Sequence, residues 1–166
     1  MESRAKLLGH SVHQMLIVFP LGLLGMAVIF DIIHLWRGGT WSIASYHMIA
    51  AGVVMGLLAA IFGFIDWLGI PAGTRAKAIG AWHGLGNVVV VVLFAISFWL
   101  RRHGAGNPTT LAFLVGVIAL LLALVTGWLG GELVSRLGVG VYSDANVDAP
   151  SSLSTSPPTP RAGSSR

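Results

Sequence analysis

LAFLVGVIALLLALVTGW, residues 111–128, carries no ionisable side chain. A helix needs roughly 20 apolar residues to cross a hydrocarbon layer of ~30 Å. This run is close to that length and ends on Trp128, a residue type that settles at membrane boundaries. Three further segments read the same way, at about 12–35, 46–67 and 81–100. The connections WRGGTWSIAS, LGIPAGTRAKAIG and RRHGAGNPTT are short, which makes successive helices antiparallel. The expected fold is all-α: four transmembrane helices in an up-down-up-down bundle over residues 1–142. Residues 143–166 turn abruptly to Ser, Pro and Thr and read as a disordered tail.

Composition agrees. Of 166 residues, 55% are hydrophobic and only 10% charged, against about 25% charged in a soluble domain. The mean hydropathy is +0.81. One core of this length cannot hide so much apolar surface from water, so lipid is the expected solvent. The net charge of +4 does not point to nucleic acid, because the basic residues flank apolar spans and form no single patch. Cysteine is absent, which excludes disulfides, thiolate metal sites and iron–sulfur ligands on this chain. The N-terminal run lacks an A-x-A-like cleavage site and reads as an uncleaved first span.

Tryptophans and charges orient the spans. Trp36, Trp41 and Trp99 fall at one end, and Trp67, Trp82 and Trp128 at the other. Arg4, Lys6, Arg75, Lys77 and Arg136 lie on the N-terminal side, against Arg37, Arg101 and Arg102 opposite. The positive-inside rule then predicts both termini, and the tail, in the cytoplasm. Small residues at Gly52–Gly56, Gly80–Gly84 and Gly127–Gly131 suit close helix packing, within one chain or in a homo-oligomer.

The chain also reads as two duplicated helical hairpins. Trp67-Leu68-Gly69 ends the second span, Trp128-Leu129-Gly130 the fourth, and His13 and His83 open each pair. Eighteen residues make five helical turns, so residues eighteen apart share a face. His13 and Asp31 have that spacing, as do His83 and Arg101. If the first and third spans face each other, His13 meets His83 at one end. Asp31 then meets Arg101 at the other, in an ion pair that offsets the cost of charge in hydrocarbon.

Three chemistries suit these residues. His13 and His83 could ligate a b-type haem from two helices. With Asp66 or Glu132 they could hold zinc or non-haem iron, although no ligand-spacing motif such as H-E-x-x-H is present. They could also relay protons. The plainer alternative is that they fix helix register by hydrogen bonds. The chain shows no G-x-S-x-G, Ser-His-Asp order or phosphate loop, so no catalytic residue is assigned and the reading is non-enzymatic.

Residues 13–22, HQMLIVFPLG, resemble the H-P-x-x-V-H-F-P-I-G opening of a bacterial membrane family, domain of unknown function 2231. Gly63-Phe64-Ile65-Asp66-Trp67 resembles its middle motif. The run from Gly127 to Val134, then Gly138-Val139-Gly140-Val141, resembles its closing one. Gln14 stands where the family usually has proline, and Val18 where it often has a second histidine. The resemblance implies a four-span bacterial inner-membrane protein. Some relatives are joined to or encoded near Rieske-type iron–sulfur domains, which implies a redox partner. The combined expectation is a membrane component of electron transfer binding haem or another metal. A small transporter or proton-relay subunit, and a structural partner without cofactor, are the alternatives.

Overall fold

The structure, a computed structural model, describes residues 1–154 of the chain. Four helical spans are long and apolar enough to cross a membrane: Val12–Arg37, Trp41–Gly69, Arg75–Leu100 and Thr110–Ser135. The first is broken into α1 (Val12–Leu16) and α2 (Val18–Arg37); the others are α3, α4 and α5. Before them, β1 (Lys6–Leu7) and β2 (His10–Ser11) pair antiparallel.

The break follows from Pro20. Proline has no N–H for the carbonyl four residues earlier, and its ring crowds that carbonyl. Here the carbonyl is that of Leu16, the last residue of α1. Hydrogen bonds from Ile17 N–H to His13 and from Leu21 N–H to Ile17 carry the chain across the gap.

The helices overrun the apolar segments that announce them. α3 begins at Trp41 and α4 at Arg75, inside stretches that read as loops, and α5 continues to Ser135. An apolar window measures the thickness of hydrocarbon, whereas a helix ends where its backbone is capped. The Thr74 hydroxyl accepts from Lys77 N–H at 3.1 Å, and Thr109 from Ala112 N–H at 3.2 Å. Gly138, at φ 63°, ends the turn after α5.

α4 pairs most extensively with α5, and α2 with α3; α3 joins α4, while α2 touches α5 only lightly. The core comprises Leu24, Ala27, Val28, Ile49, Val90, Phe94 and Ala119. Three close approaches hold α3 in place: a Cβ on Gly52 would lie 2.5 Å from Leu24, on Gly56 3.2 Å from Val91, and on Gly63 2.8 Å from His13. Gly80 likewise receives Trp67. Gly84, Gly127 and Gly131 face open space, so the Gly127–Gly131 pair packs against no helix of this chain among the described residues.

Burial is inverted relative to a water-soluble bundle. Arg101 and Asp31 are among the largest fully buried side chains, with Ser42, Ser45, Ser97 and Thr126. Trp36, Trp82, Trp99 and Trp128, with many Leu and Val residues, stand outside. Such a surface is stable against lipid and not against water.

Of the Ser- and Pro-rich tail, residues 143–154 carry turns, and Ser152 Oγ lies 3.3 Å from His10 Nε2. The expectation of disorder for residues 155–166 lies outside the described residues.

Candidate functional site

The starts of α1 and α4 come together at one end of the bundle. The rings of His13 and His83 stand 6.4 Å apart between centroids, at an interplanar angle of 89°. His13 Nδ1 lies 2.8 Å from the Ala59 carbonyl of α3, and His83 Nδ1 2.8 Å from the Thr126 carbonyl of α5. A carbonyl only accepts, so each Nδ1 carries a proton, and in the neutral ring each Nε2 keeps its lone pair.

One turn beyond each carbonyl stands a glycine. A Cβ on Gly63 would lie 2.8 Å from the His13 ring, and one on Gly130 3.0 Å from the His83 ring. The two hairpins thus repeat one device: a histidine, a carbonyl on the next span, and a glycine four residues on. This corrects the alignment drawn from Trp-Leu-Gly. Gly130 corresponds structurally to Gly63, not to Gly69, so the shared tripeptide is out of register with the packing.

Asn87 locks the second half. Its Nδ2 donates to the His83 carbonyl at 2.9 Å, and its Oδ1 accepts from Thr126 Oγ at 3.1 Å. Nδ2 also lies 3.4 Å from Nδ1 and 3.3 Å from Nε2 of the His83 ring.

The two carboxylates considered for a metal are engaged elsewhere. Asp66 accepts from Ser3 Oγ at 2.7 and 2.8 Å, from Arg4 N–H at 2.7 Å and from Ala5 N–H at 3.2 Å. It clamps the N-terminal segment to the end of α3. Glu132 is paired with Arg75 at 2.7 Å. Among the described residues no group of three His, Asp or Glu side chains could hold a metal ion. Among the described residues the arrangement therefore offers two imidazoles and no third His, Asp or Glu ligand.

At the other end the guanidinium of Arg101 grips Asp31 with two parallel bonds, of 2.8 Å to Oδ1 and 2.6 Å to Oδ2. Ser97 Oγ lies 3.3 Å from Nε and 3.2 Å from Nη2, and Ser45 Oγ 3.3 Å from Nη1. Ser97 in turn donates to the Ala112 carbonyl at 2.7 Å. Both charged side chains are about fully buried. The apolar core lies between this layer and the histidines.

The family model described as "Predicted membrane protein (DUF2231)" matches residues 9–143. The chain belongs to the DUF2231 family. No curated protein and no solved structure is similar enough to match it. Within this DUF2231 chain, the three segments that carry the family resemblance converge on the histidine end. The opening segment supplies His13 and Pro20. The middle one supplies Gly63 and Asp66. The closing one supplies Gly130, and its Gly140 N–H donates to the Met1 carbonyl at 2.8 Å.

Sequence reading missed Ser3, Ser45, the glycine cradles and Thr126. Thr126 had a visible signal: it is the one hydroxyl in the otherwise apolar run 111–128. The cradle glycines lie inside the middle and closing motifs, but nothing in those motifs names a histidine as the partner of Gly63 or Gly130.

Proposed function

We propose that this DUF2231 protein is an electron-transfer component of the membrane that holds a b-type haem between His13 and His83. The observation that carries the reading is the histidine pair itself. The two rings stand 6.4 Å apart between centroids, on different helices at the same end of the bundle, and would offer Nε2 to the iron of a bound haem. Each Nδ1–H is held by a backbone carbonyl, the outer-shell bond that orients a metal-bound histidine and raises its basicity. Two protein ligands without a third favour a macrocycle that brings its own equatorial nitrogens over bare zinc.

Bound haem supplies one-electron chemistry. The chain's residues do the rest. Gly63 and Gly130 let the rings approach α3 and α5, Asn87 and Thr126 hold His83, and Leu24, Val90 and Phe94 keep the centre of the bundle dry. That dry layer separates the histidines from the Asp31–Arg101 layer, which disfavours the proton-relay alternative.

We place the histidine end at the cytoplasmic face of an inner membrane. Burial of Arg101 in an ion pair removes it from the topology signal, leaving Arg37 and Arg102 against five basic residues on the histidine side. A redox partner such as the Rieske-type protein implied by the resemblance would dock there.

The test is an absorption spectrum of detergent-purified protein, as isolated and after addition of haemin. A Soret band is expected, lost in both His13→Ala and His83→Ala while Gly84→Ala, at a position facing open space, retains it. Absence of a band under both conditions would overturn the reading. Orientation is tested on single cysteines, which the native chain lacks. Cysteine at Gly39 should react with an impermeant maleimide in intact cells and cysteine at Ser143 should not; the reverse pattern inverts the topology.

A further inference from the structure

A cavity at the opposite end stands independent of the haem reading. Where α2 and α5 touch only lightly, a cavity of about 370 Å³ opens between them. Asp31 and His34 of α2, Asn107 of the preceding loop, and Thr110, Phe113 and Leu114 of α5 line it. That volume is at the lower end of the range for small-molecule sites, enough for a substituted six-membered ring.

The lining selects a chemistry. Asp31 reaches the cavity with both carboxylate oxygens already bonded to Arg101, so the floor is a neutral ion pair. The lining contains no Lys or Arg, and nothing there compensates a phosphate or carboxylate. A cation would meet a carboxylate that is already paired. Hydrogen-bonding capacity is nonetheless present: the His34 imidazole, the Asn107 amide and the Thr110 hydroxyl. His34 Nδ1 is buried without a hydrogen-bond partner among the described residues, so the ring nitrogen left to meet a group in the cavity is Nε2. The remaining walls are aromatic and aliphatic, and Leu114 stands on the outer surface that faces lipid.

We infer that this cavity binds a neutral, lipid-soluble ring bearing carbonyl or hydroxyl oxygens, the quinone class, entering sideways between α2 and α5. The ring oxygens meet His34, Asn107 and Thr110, the ring lies against Phe113, and its apolar tail leaves past Leu114 into the bilayer.

The probe is an azido-substituted benzoquinone with a short isoprenoid tail, photolysed with the full chain in phosphatidylcholine vesicles. Expected is saturable labelling in peptides spanning 31–35 and 107–114, competed by the unlabelled quinone and not by lysophosphatidylglycerol. His34→Ala should lower the labelling at least tenfold. Thr110→Trp, at an exposed position that fills the cavity mouth, should do the same with an unchanged melting temperature, and serves if His34→Ala fails to fold. Labelling spread along all four spans, or unaltered by Thr110→Trp, would overturn the site. Competition by lysophosphatidylglycerol would overturn the neutral-ring assignment.

Discussion

Arg101 is the residue on which the loop-side end of the bundle depends. Its guanidinium is satisfied by Asp31, Ser45 and Ser97, so removing one charge strands the other away from water. Asp31→Asn or Arg101→Gln alone should cost about 3–5 kcal/mol, read as a lowered midpoint in detergent unfolding. Asp31→Leu with Arg101→Met should recover most of that loss, because a buried pair replaced together leaves no orphan charge. Single variants as stable as wild type would refute this account. The pair was legible beforehand, because the eighteen-residue spacing puts each charge on the face of a histidine. Ser45 was not, because a hydroxyl on a membrane helix satisfies its own backbone as readily as a neighbour. At the other end, Gly63→Ala would push a methyl into the His13 ring, at an expected cost of about 1–3 kcal/mol. The same substitution at Gly84, which faces open space, should be neutral or slightly stabilising, and the comparison isolates the steric effect.

Among the elements, the first span carries the least obvious structure. Its hydropathy gave no hint of two helices, since hydropathy does not register a missing N–H; the signal was Pro20. Pro20→Ala returns a donor to the Leu16 carbonyl and should fuse α1 with α2. Slowed hydrogen exchange of the new amide at position 20 would report the fusion. Fast exchange there would mean that packing, not proline, sets the break. Helix ends were equally hidden. Thr74 and Thr109 sit where polar sequence suggested loop, yet each accepts a bond from the first turn of its helix. Replacing either with Ala should cost about 1 kcal/mol.

For the whole molecule, the number of spans was readable from apolar length, and the pairing of Asp31 with Arg101 from helical register. What escaped reading was long-range polar closure. Nothing near Asp66 in the sequence names Ser3, Arg4 or Ala5 as its partners. The resulting clamp ties the N-terminal segment to the end of α3. Asp66→Ala should free that segment, and trypsin should then cut after Arg4 and Lys6 at least tenfold faster in detergent-solubilised protein. Equal cleavage rates would show that the β1–β2 hairpin holds the segment unaided.

The Asp31–Arg101 bond also has a history in time. Its members are 70 residues apart in the chain. At a synthesis rate of about 5–20 residues per second, Asp31 exists for roughly 4–14 s before Arg101 is made. During that interval the first hairpin can already be in the bilayer with a carboxylate that has no counter-charge. Its place only two turns from the end of α2 lets it wait at the headgroups and withdraw into the bundle once α4 arrives. A chain ended before Arg101 should therefore insert less completely than the same fragment with Asp31→Asn, and equal insertion would show that the wait costs nothing. The ion pair is in this sense a latch that fastens the late hairpin to the early one.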